Sequence, residues 1–429
     1  MDSRSIRKAK SLKGEIAVAA DKSISHRALI FSALARGESL IHNFLQAEDT
    51  WSTYRCLREL GVDLKTEGST LVVSANGRQG IKEPEGVLDC GNSGTTMRLL
   101  SGVLASQPFF SILNGDISLN RRPMQRIIEP LQLMGAHIQG RRGGNYPPLV
   151  IQGNQLQGIK YQLPVASAQL KSALLLAALN AEGASEIIEK ERSRNHTENM
   201  LAAMGAAIKV EGLSIKLQPG KELAAQDFMV PGDISSAAFF LVAATIVPGS
   251  ELRISDVGVN PTRAGIIEVL GQMGASVKLE KQRLVGGEAM ADLIVSAKPL
   301  KGVKIDGEIV PRLIDEIPVL AVAMAVAEGE SVVTGAGELR IKETDRIAAI
   351  SSELSKMGVV VNQLEDGFII KGTGGSIKGA RVDSHGDHRI AMSLAVAALL
   401  AEGDTTINNS GVVNISFPAF WDTMDKISR

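Results

Sequence analysis

The sequence predicts an α/β (α+β) protein of two domains, each assembled from three βαβαββ units. Three observations carry that prediction. Two glycine-punctuated patterns alternate along the chain, the first helix of each unit is apolar on every face, and the last unit breaks off before its hairpin.

The first pattern is an apolar helix, a small-residue turn with glycine and a short strand. It reads ALIFSALARGESLI with Gly37, LLLAALNAEGASEII with Gly183 and LVAATIVPGSELRI with Gly249. It returns as LAVAMAVAEGESVV with Gly329 and LAVAALLAEGDTTI with Gly403, and a further copy, LLSGVLASQPFFSIL, carries Gln107 in place of the glycine. Helices apolar all round are buried ones. The second pattern is an amphipathic helix closing on Met-Gly or Leu-Gly before a pair of strands. Its glycines are Gly61, Gly135, Gly205, Gly274 and Gly358, at intervals of 74, 70, 69 and 84 residues. Glycine there fits a left-handed helix C-cap, and the β-branched residues that follow fit strands.

Six units result, and the sixth lacks its hairpin. After Phe420-Trp421-Asp422 only a helix remains. The segment SIRKAKSLKGEIAVA near the N-terminus reads as a hairpin pair that supplies the missing strands. That places 1–20 with 229–429 in one domain and 21–228 in the other, so the chain passes between domains twice.

Composition agrees with a globular protein and narrows its partners. A length of 429 residues exceeds one comfortable core, and 44% hydrophobic residues rule out disorder by composition. The 46 basic and 47 acidic residues leave a net charge of −1, which offers no bulk attraction to nucleic acid or membrane. Any anion binding must therefore be local. Two cysteines, Cys56 and Cys90, form neither a metal-type pair nor a disulfide framework. The basic, polar N-terminus has no apolar run behind it, and the expectation is a cytoplasmic protein.

The polar chemistry gathers at the starts of the predicted helices. Before the buried helices stand Asp21-Lys22-Ser23 with Arg27, Gly91-Asn92-Ser93-Gly94-Thr95 with Arg98, and Ser167-Ala168-Gln169. Gly232-Asp233-Ile234-Ser235-Ser236, Asp315-Glu316 and Gly386-Asp387-His388-Arg389 follow. Asp49-Thr50, Arg121-Arg122-Pro123, Arg194-Asn195-His196 and Lys342-Glu343-Thr344-Asp345-Arg346 open the amphipathic helices. Taken singly, most of these are N-caps, solvated first turns or tight turns. Cations recurring at equivalent points are different. The helix dipole favours acids at an N-terminus, so Lys and Arg placed there suggest a ligand that brings the negative charge. If equivalent points face alike, these ends converge on an interdomain cleft. Phosphate loops of the G-x-x-x-x-G-K-[ST] type are absent. The residues themselves carry the reading as far as a two-domain enzyme that closes on a small polyanion.

At these residues the chain resembles the EPSP synthase family of enolpyruvyl transferases. The stretches are DKSISHRAL (21–29), LDCGNSGTTMR (88–98), RRPM (121–124), VASAQLKSALL (165–175), NPTR (260–263), LIDEIPVLA (313–321), ELRIKETDR (338–346), GDHRIAM (386–392) and SFPAF (416–420). The resemblance implies a two-domain inverse α/β barrel and transfer of enolpyruvyl from phosphoenolpyruvate to shikimate 3-phosphate, by a monomer without metal or organic cofactor. It implies that Lys22, Gly94, Arg122, Gln169, Arg346 and Arg389 hold phosphoenolpyruvate. Lys22, Ser23, Arg27, Ser167, Ala168, Gln169, Arg194, Asp315 and Lys342 would hold the sugar phosphate. Asp315 would take the proton of the attacking hydroxyl and Glu343 would protonate the methylene, with Lys22 also in the catalytic group.

Ala168, Glu338, Arg194 and Ile415 depart from the better-known branch of that family and resemble a second branch with glyphosate-tolerant members. Glyphosate is the inhibitor the resemblance implies. The tolerant loop pattern has alanine where Gly94 stands, so Gly94 is expected to leave space beside the donor and the chain to be glyphosate-sensitive. The related UDP-N-acetylglucosamine enolpyruvyl transferases share fold and donor but have Lys-Asn where this chain has Lys22-Ser23. A non-catalytic anion-binding protein would leave Asp315 and Glu343 unexplained.

Overall fold

The computed structural model describes residues 2–428. The chain divides into two compact units, one comprising 1–19, 232–283 and 289–429, the other 20–231 with 284–288. Among the described residues no helix is long and apolar enough to cross a membrane.

The second unit (20–231) contains helices α1 (Lys22–Leu34), α2 (Glu48–Glu59), α3 (Gly94–Ala105), α4 (Gln125–Leu133), α5 (Ala168–Ala178) and α6 (His196–Ala203). The first unit contains α7 (Ile234–Ile246), α8 (Gly265–Gln272), α9 (Ile317–Val326), α10 (Arg346–Lys356), α11 (His388–Ala398) and α12 (Phe420–Ile427). Odd-numbered helices are the apolar ones, and every residue of α7 and α9 is buried. The apolar helices α3 and α5 approach closely. A Cβ at Gly102 in α3 would lie 2.3 Å from the Ala173 carbonyl oxygen of α5, a contact only glycine avoids. In the first unit Phe239 of α7 packs edge-on against Phe420, which opens α12, and Phe240 packs against the same ring at a tilt. The helix-closing glycines behave as expected: Gly61 and Gly135 have φ of +82° and +97°.

Each repeat builds one small mixed sheet. In the second repeat Leu88–Asp89 runs parallel to Phe110–Asn114, which pairs antiparallel with Tyr146–Gln152, and that strand with His137–Arg141. The same order of pairing recurs in 160–218 and in 304–371. The N-terminal segment departs from the expected hairpin. Ser3–Ile6 does complete the sixth sheet, antiparallel to Thr405–Asn408. Lys13–Ile16 instead runs parallel to Glu251–Gly258 and opens the fourth repeat's sheet. The first repeat is completed in the same displaced way, by Leu223–Ala224 and Phe228–Met229 lying parallel to Ala35–His42.

One hydrogen bond marks all six repeats. A carbonyl at the C-terminal end of each buried helix accepts an N–H from the residue just past a hairpin or, in the sixth repeat, from the N-terminal segment past Ser3–Ile6. The pairs are Gly77 to Ala35 at 2.8 Å, Asn154 to Ala105 at 3.2 Å and Gly220 to Leu179 at 3.5 Å. Lys298 to Thr245 at 3.0 Å, Thr373 to Ala325 at 2.9 Å and Ala9 to Leu399 at 3.0 Å complete the set. Each satisfies a carbonyl that helix geometry leaves orphaned. The bulk of the polar residues singled out above sit at the opposite ends of these helices.

Candidate active site

In the second unit, α1 carries a cation next to a side-chain cap, and α3 and α5 start on capping serines. Asp21 caps α1 through Oδ1, which accepts from the Ile24 amide at 2.8 Å, and Lys22 follows as the first helical residue. The dipole there disfavours an ammonium, and Asp49 compensates, its carboxylate 3.0 Å from Lys22 Nζ. Burial presses the Asp49 pKa upward, but Lys22 and His26 outweigh it and hold the carboxyl below its ordinary value. Ser93 caps α3, placing Gly94 as its first residue, and Ser167 caps α5, placing Ala168 and Gln169.

Gln169 is gripped at both ends. Its Oε1 accepts from Arg98 at 2.8 Å and its Nε2 donates to the Thr95 hydroxyl at 2.9 Å. Burial, then the Arg122 and Arg126 guanidiniums nearby, press the Arg98 pKa down to about 10. Arg122 donates to Asn92 Oδ1 at 2.6 Å. The expected space beside Gly94 is absent. An added methyl would meet Arg98 Nη1 at 2.7 Å and Arg122 Nη1 at 3.5 Å, because both guanidiniums fold over the start of α3.

A second cluster surrounds Arg27, which is buried in α1. Its Nε donates to the Thr197 hydroxyl at 2.8 Å, one terminal nitrogen to the Ser172 hydroxyl at 2.8 Å and the other to the Ser23 carbonyl at 2.9 Å. Burial lowers its pKa to about 10 against the pull of Glu198 and Asp21, with Arg194 pressing it down further. Arg27, Ser23 and Arg194 thus lie together, beside the start of α5.

The first unit gathers its expected residues into one network. Arg346, the first residue of α10, is 1% exposed. Its guanidinium meets Glu343 Oε2 at 2.6 Å, Asp315 Oδ1 at 3.3 Å and Asp387 Oδ2 at 2.8 Å. Lys342 Nζ stands 3.6 Å from the same Asp315 oxygen. Arg389 donates to the Asp315 carbonyl at 3.2 Å. Burial pushes the Glu343 pKa up, yet Arg346, His388 and Arg389 reverse this and hold the carboxyl below its ordinary value. Asp315 sits in a 3-10 turn ahead of α9, and Lys342 and Glu343 lie in the loop between another such turn (Gly337–Ile341) and α10 rather than inside a helix. That loop placement frees their side chains from helical spacing. Ile415, where the better-known branch has a lysine, is exposed.

Several residues that build these clusters were visible as polar outliers but not as site residues: Asp49, Arg98, Asp387 and His388. Thr197 and Ser172 gave no signal at all, because a hydroxyl gains its role from the guanidinium it meets.

Residues 6–424 match the family described as EPSP synthase (3-phosphoshikimate 1-carboxyvinyltransferase). The chain is 64% identical over 419 residues to a 3-phosphoshikimate 1-carboxyvinyltransferase of Syntrophomonas wolfei, covering 98% of each. It is 52% identical over 428 residues to a protein of that name from Geobacter metallireducens, covering 100% of each. A solved structure of an EPSP synthase from Acinetobacter baumannii superposes with a TM-score of 0.93 at 44% identity, over 99% of this chain and 98% of that one.

Proposed function

The chain belongs to the EPSP synthase family, and from that premise we propose that it transfers the enolpyruvyl group of phosphoenolpyruvate to the 5-hydroxyl of shikimate 3-phosphate, releasing phosphate. The observation that carries the reading is the grip of one buried guanidinium, Arg346, on both Asp315 at 3.3 Å and Glu343 at 2.6 Å. Two proton-transfer groups are thereby fixed on a single cation.

The chemistry needs both. The 5-hydroxyl oxygen bonds to C2 of the donor while Asp315 takes the hydroxyl proton and Glu343 delivers a proton to C3. In the elimination that follows, Glu343 recovers a proton from the new methyl group and the C2–O bond to phosphate breaks. Asp315 returns its proton to the departing phosphate, and both carboxyls end as they began. Lys22, Arg122, Arg346 and Arg389 hold the donor's phosphate and carboxylate, with Gly94 and Gln169 beside it, and stabilise charge on the leaving group. Ser23, Arg27, Ser167, Ala168, Gln169, Arg194 and Lys342 hold the sugar phosphate.

Glu343 is held ionised by its cations, which suits the elimination step, whereas delivering a proton requires a weaker acid. The donor supplies the change. Its negative charge shares Arg346 and Arg389 with Glu343 and so raises the carboxyl's pKa when the substrate arrives.

Phosphate release from phosphoenolpyruvate tests the reading directly, assayed with shikimate 3-phosphate, with UDP-N-acetylglucosamine and with neither. Release that depends on shikimate 3-phosphate is expected. The names of the relatives give the second acceptor no support. Release with neither acceptor, or none at all, overturns the assignment. The same reading makes the protein a cytoplasmic monomer that glyphosate inhibits in competition with the donor, and sedimentation and inhibition kinetics check those parts.

A further inference from the structure

Among the described residues, Lys171 is the one long cationic side chain that the proposed chemistry does not use although it is completely buried. It lies in α5 at 0% exposure, directly before Ser172, which accepts a hydrogen bond from Arg27. Its ammonium stands 3.0 Å from Glu189 and 2.7 Å from Glu198, carboxylates that are themselves 3% and 4% exposed. Both acids serve the neighbouring ligand residues. Glu189 Oε1 accepts from the Ser193 amide at 3.0 Å and from the Ser193 hydroxyl, pinning the chain immediately before Arg194. Glu198 follows Thr197, whose hydroxyl accepts from Arg27 Nε at 2.8 Å and shares a 2.6 Å hydrogen bond with the Ser172 hydroxyl.

Two ionised carboxylates without a cation are not tolerated in such a place, because desolvation costs several kcal/mol per ion. Without Lys171, Glu198 would recruit the nearest remaining cation, and Arg27 is already within its electrostatic reach. We propose that Lys171 is a positioning residue for the sugar-phosphate half of the site: by occupying Glu198 it stops that carboxylate from drawing Arg27 inward, so the Arg27 guanidinium keeps its place for the substrate's phosphate. The inference rests on the reading that Arg27 holds shikimate 3-phosphate.

The test is steady-state kinetics of Lys171→Met with each substrate varied. The expected outcome is a rise of about tenfold or more in KM for shikimate 3-phosphate, the scale of leaving one buried charge unpaired. kcat and KM for phosphoenolpyruvate should stay close to wild type. Adding Glu198→Gln to Lys171→Met should restore KM, since Glu189 keeps its two Ser193 donors. A merely structural role would lower the active fraction and leave both KM values alone. Should Lys171→Met not fold, Lys171→Gln with Glu189→Gln leaves Glu198 equally orphaned at unchanged net charge and carries the same expectation. A KM for shikimate 3-phosphate that stays put, moves together with that for phosphoenolpyruvate, or is not restored by Glu198→Gln overturns the inference while wild-type turnover keeps the functional reading intact. Absence of wild-type turnover with shikimate 3-phosphate overturns both.

Discussion

Arg346 and Asp387 are joined by two hydrogen bonds, Nε to Oδ2 at 2.8 Å and a terminal nitrogen to Oδ1 at 3.4 Å. The same carboxylate caps α11, accepting from the Arg389 and Ile390 amides at 2.8 and 3.4 Å. One acid therefore fixes the start of α11 and the cation at the start of α10. Asp387→Ala should destabilise the protein by about 2–4 kcal/mol, from the lost cap and one of the three carboxylates on Arg346, which keeps Glu343 and Asp315. Asp387→Asn keeps the cap, worth roughly 1 kcal/mol, and should lose less. Urea denaturation of both variants checks the order, and equal losses would detach the cap from the ion pair.

Asp315→Asn and Glu343→Gln should each reduce turnover by roughly 10²–10⁴-fold, the usual size of a general acid–base contribution. Each exchange is nearly isosteric, so circular dichroism should be unchanged. Near-normal turnover in a folded variant removes that carboxyl from the proton transfers.

His26 sets an acid limit on stability. Burial drives its pKa from 6.5 to about 3, with Asp49 pulling upward and Lys22 and Arg27 pushing down. The unfolded chain protonates this histidine below its ordinary pKa, whereas the folded protein resists until near pH 3. The stability is thus complete above pH 6.5 and drains away as pH falls toward 3, at up to about 1.4 kcal/mol per pH unit. His26→Gln should flatten that part of the profile while keeping a partner for Thr53, which now meets the ring at 2.7 Å. Denaturation midpoints measured for both proteins over that range decide the matter. Parallel slopes would mean His26 is not the titrating group.

Gly94→Ala should act through Arg98. The new methyl, 2.7 Å from Arg98 Nη1, has to displace that guanidinium from Gln169. A misfit of this kind costs on the order of 1–3 kcal/mol, or about 5–150-fold in affinity. Glyphosate is longer than phosphoenolpyruvate, so its inhibition constant should rise by more than KM for the donor. Inhibition at several donor concentrations, for wild type and variant, measures both. Native tolerance, or equal shifts, would show that position 94 does not set the discrimination.

The fold was legible where a local rule repeats. Closing glycines, apolar helices and the missing final hairpin are each read from a few neighbouring residues. The destination of Lys13–Ile16 was not legible, because a parallel pairing with Glu251–Gly258 leaves no turn signal between the partners. Cations at helix starts were legible for a similar reason: they break a local preference. Asp49, Arg98 and Asp387 looked like ordinary polar residues, since each acquires its role from a partner distant in sequence, such as Lys22, Gln169 or Arg346. Gly94 was misjudged on the same ground, for no sequence pattern shows that two arginine side chains lie over it.

The pairing of Ser3–Ile6 with Thr405–Asn408 sets a timetable for synthesis. The first strand leaves the ribosome about 400 residues ahead of its partner, an interval on the order of 20–80 s at ordinary elongation rates. The helices and sheets of 20–231 are all translated before two thirds of that interval has passed. The opening strand must stay unpaired throughout, and its composition suits the delay: Arg4, Arg7, Lys8 and Lys10 crowd it with positive charge, which keeps a waiting edge from joining another nascent chain.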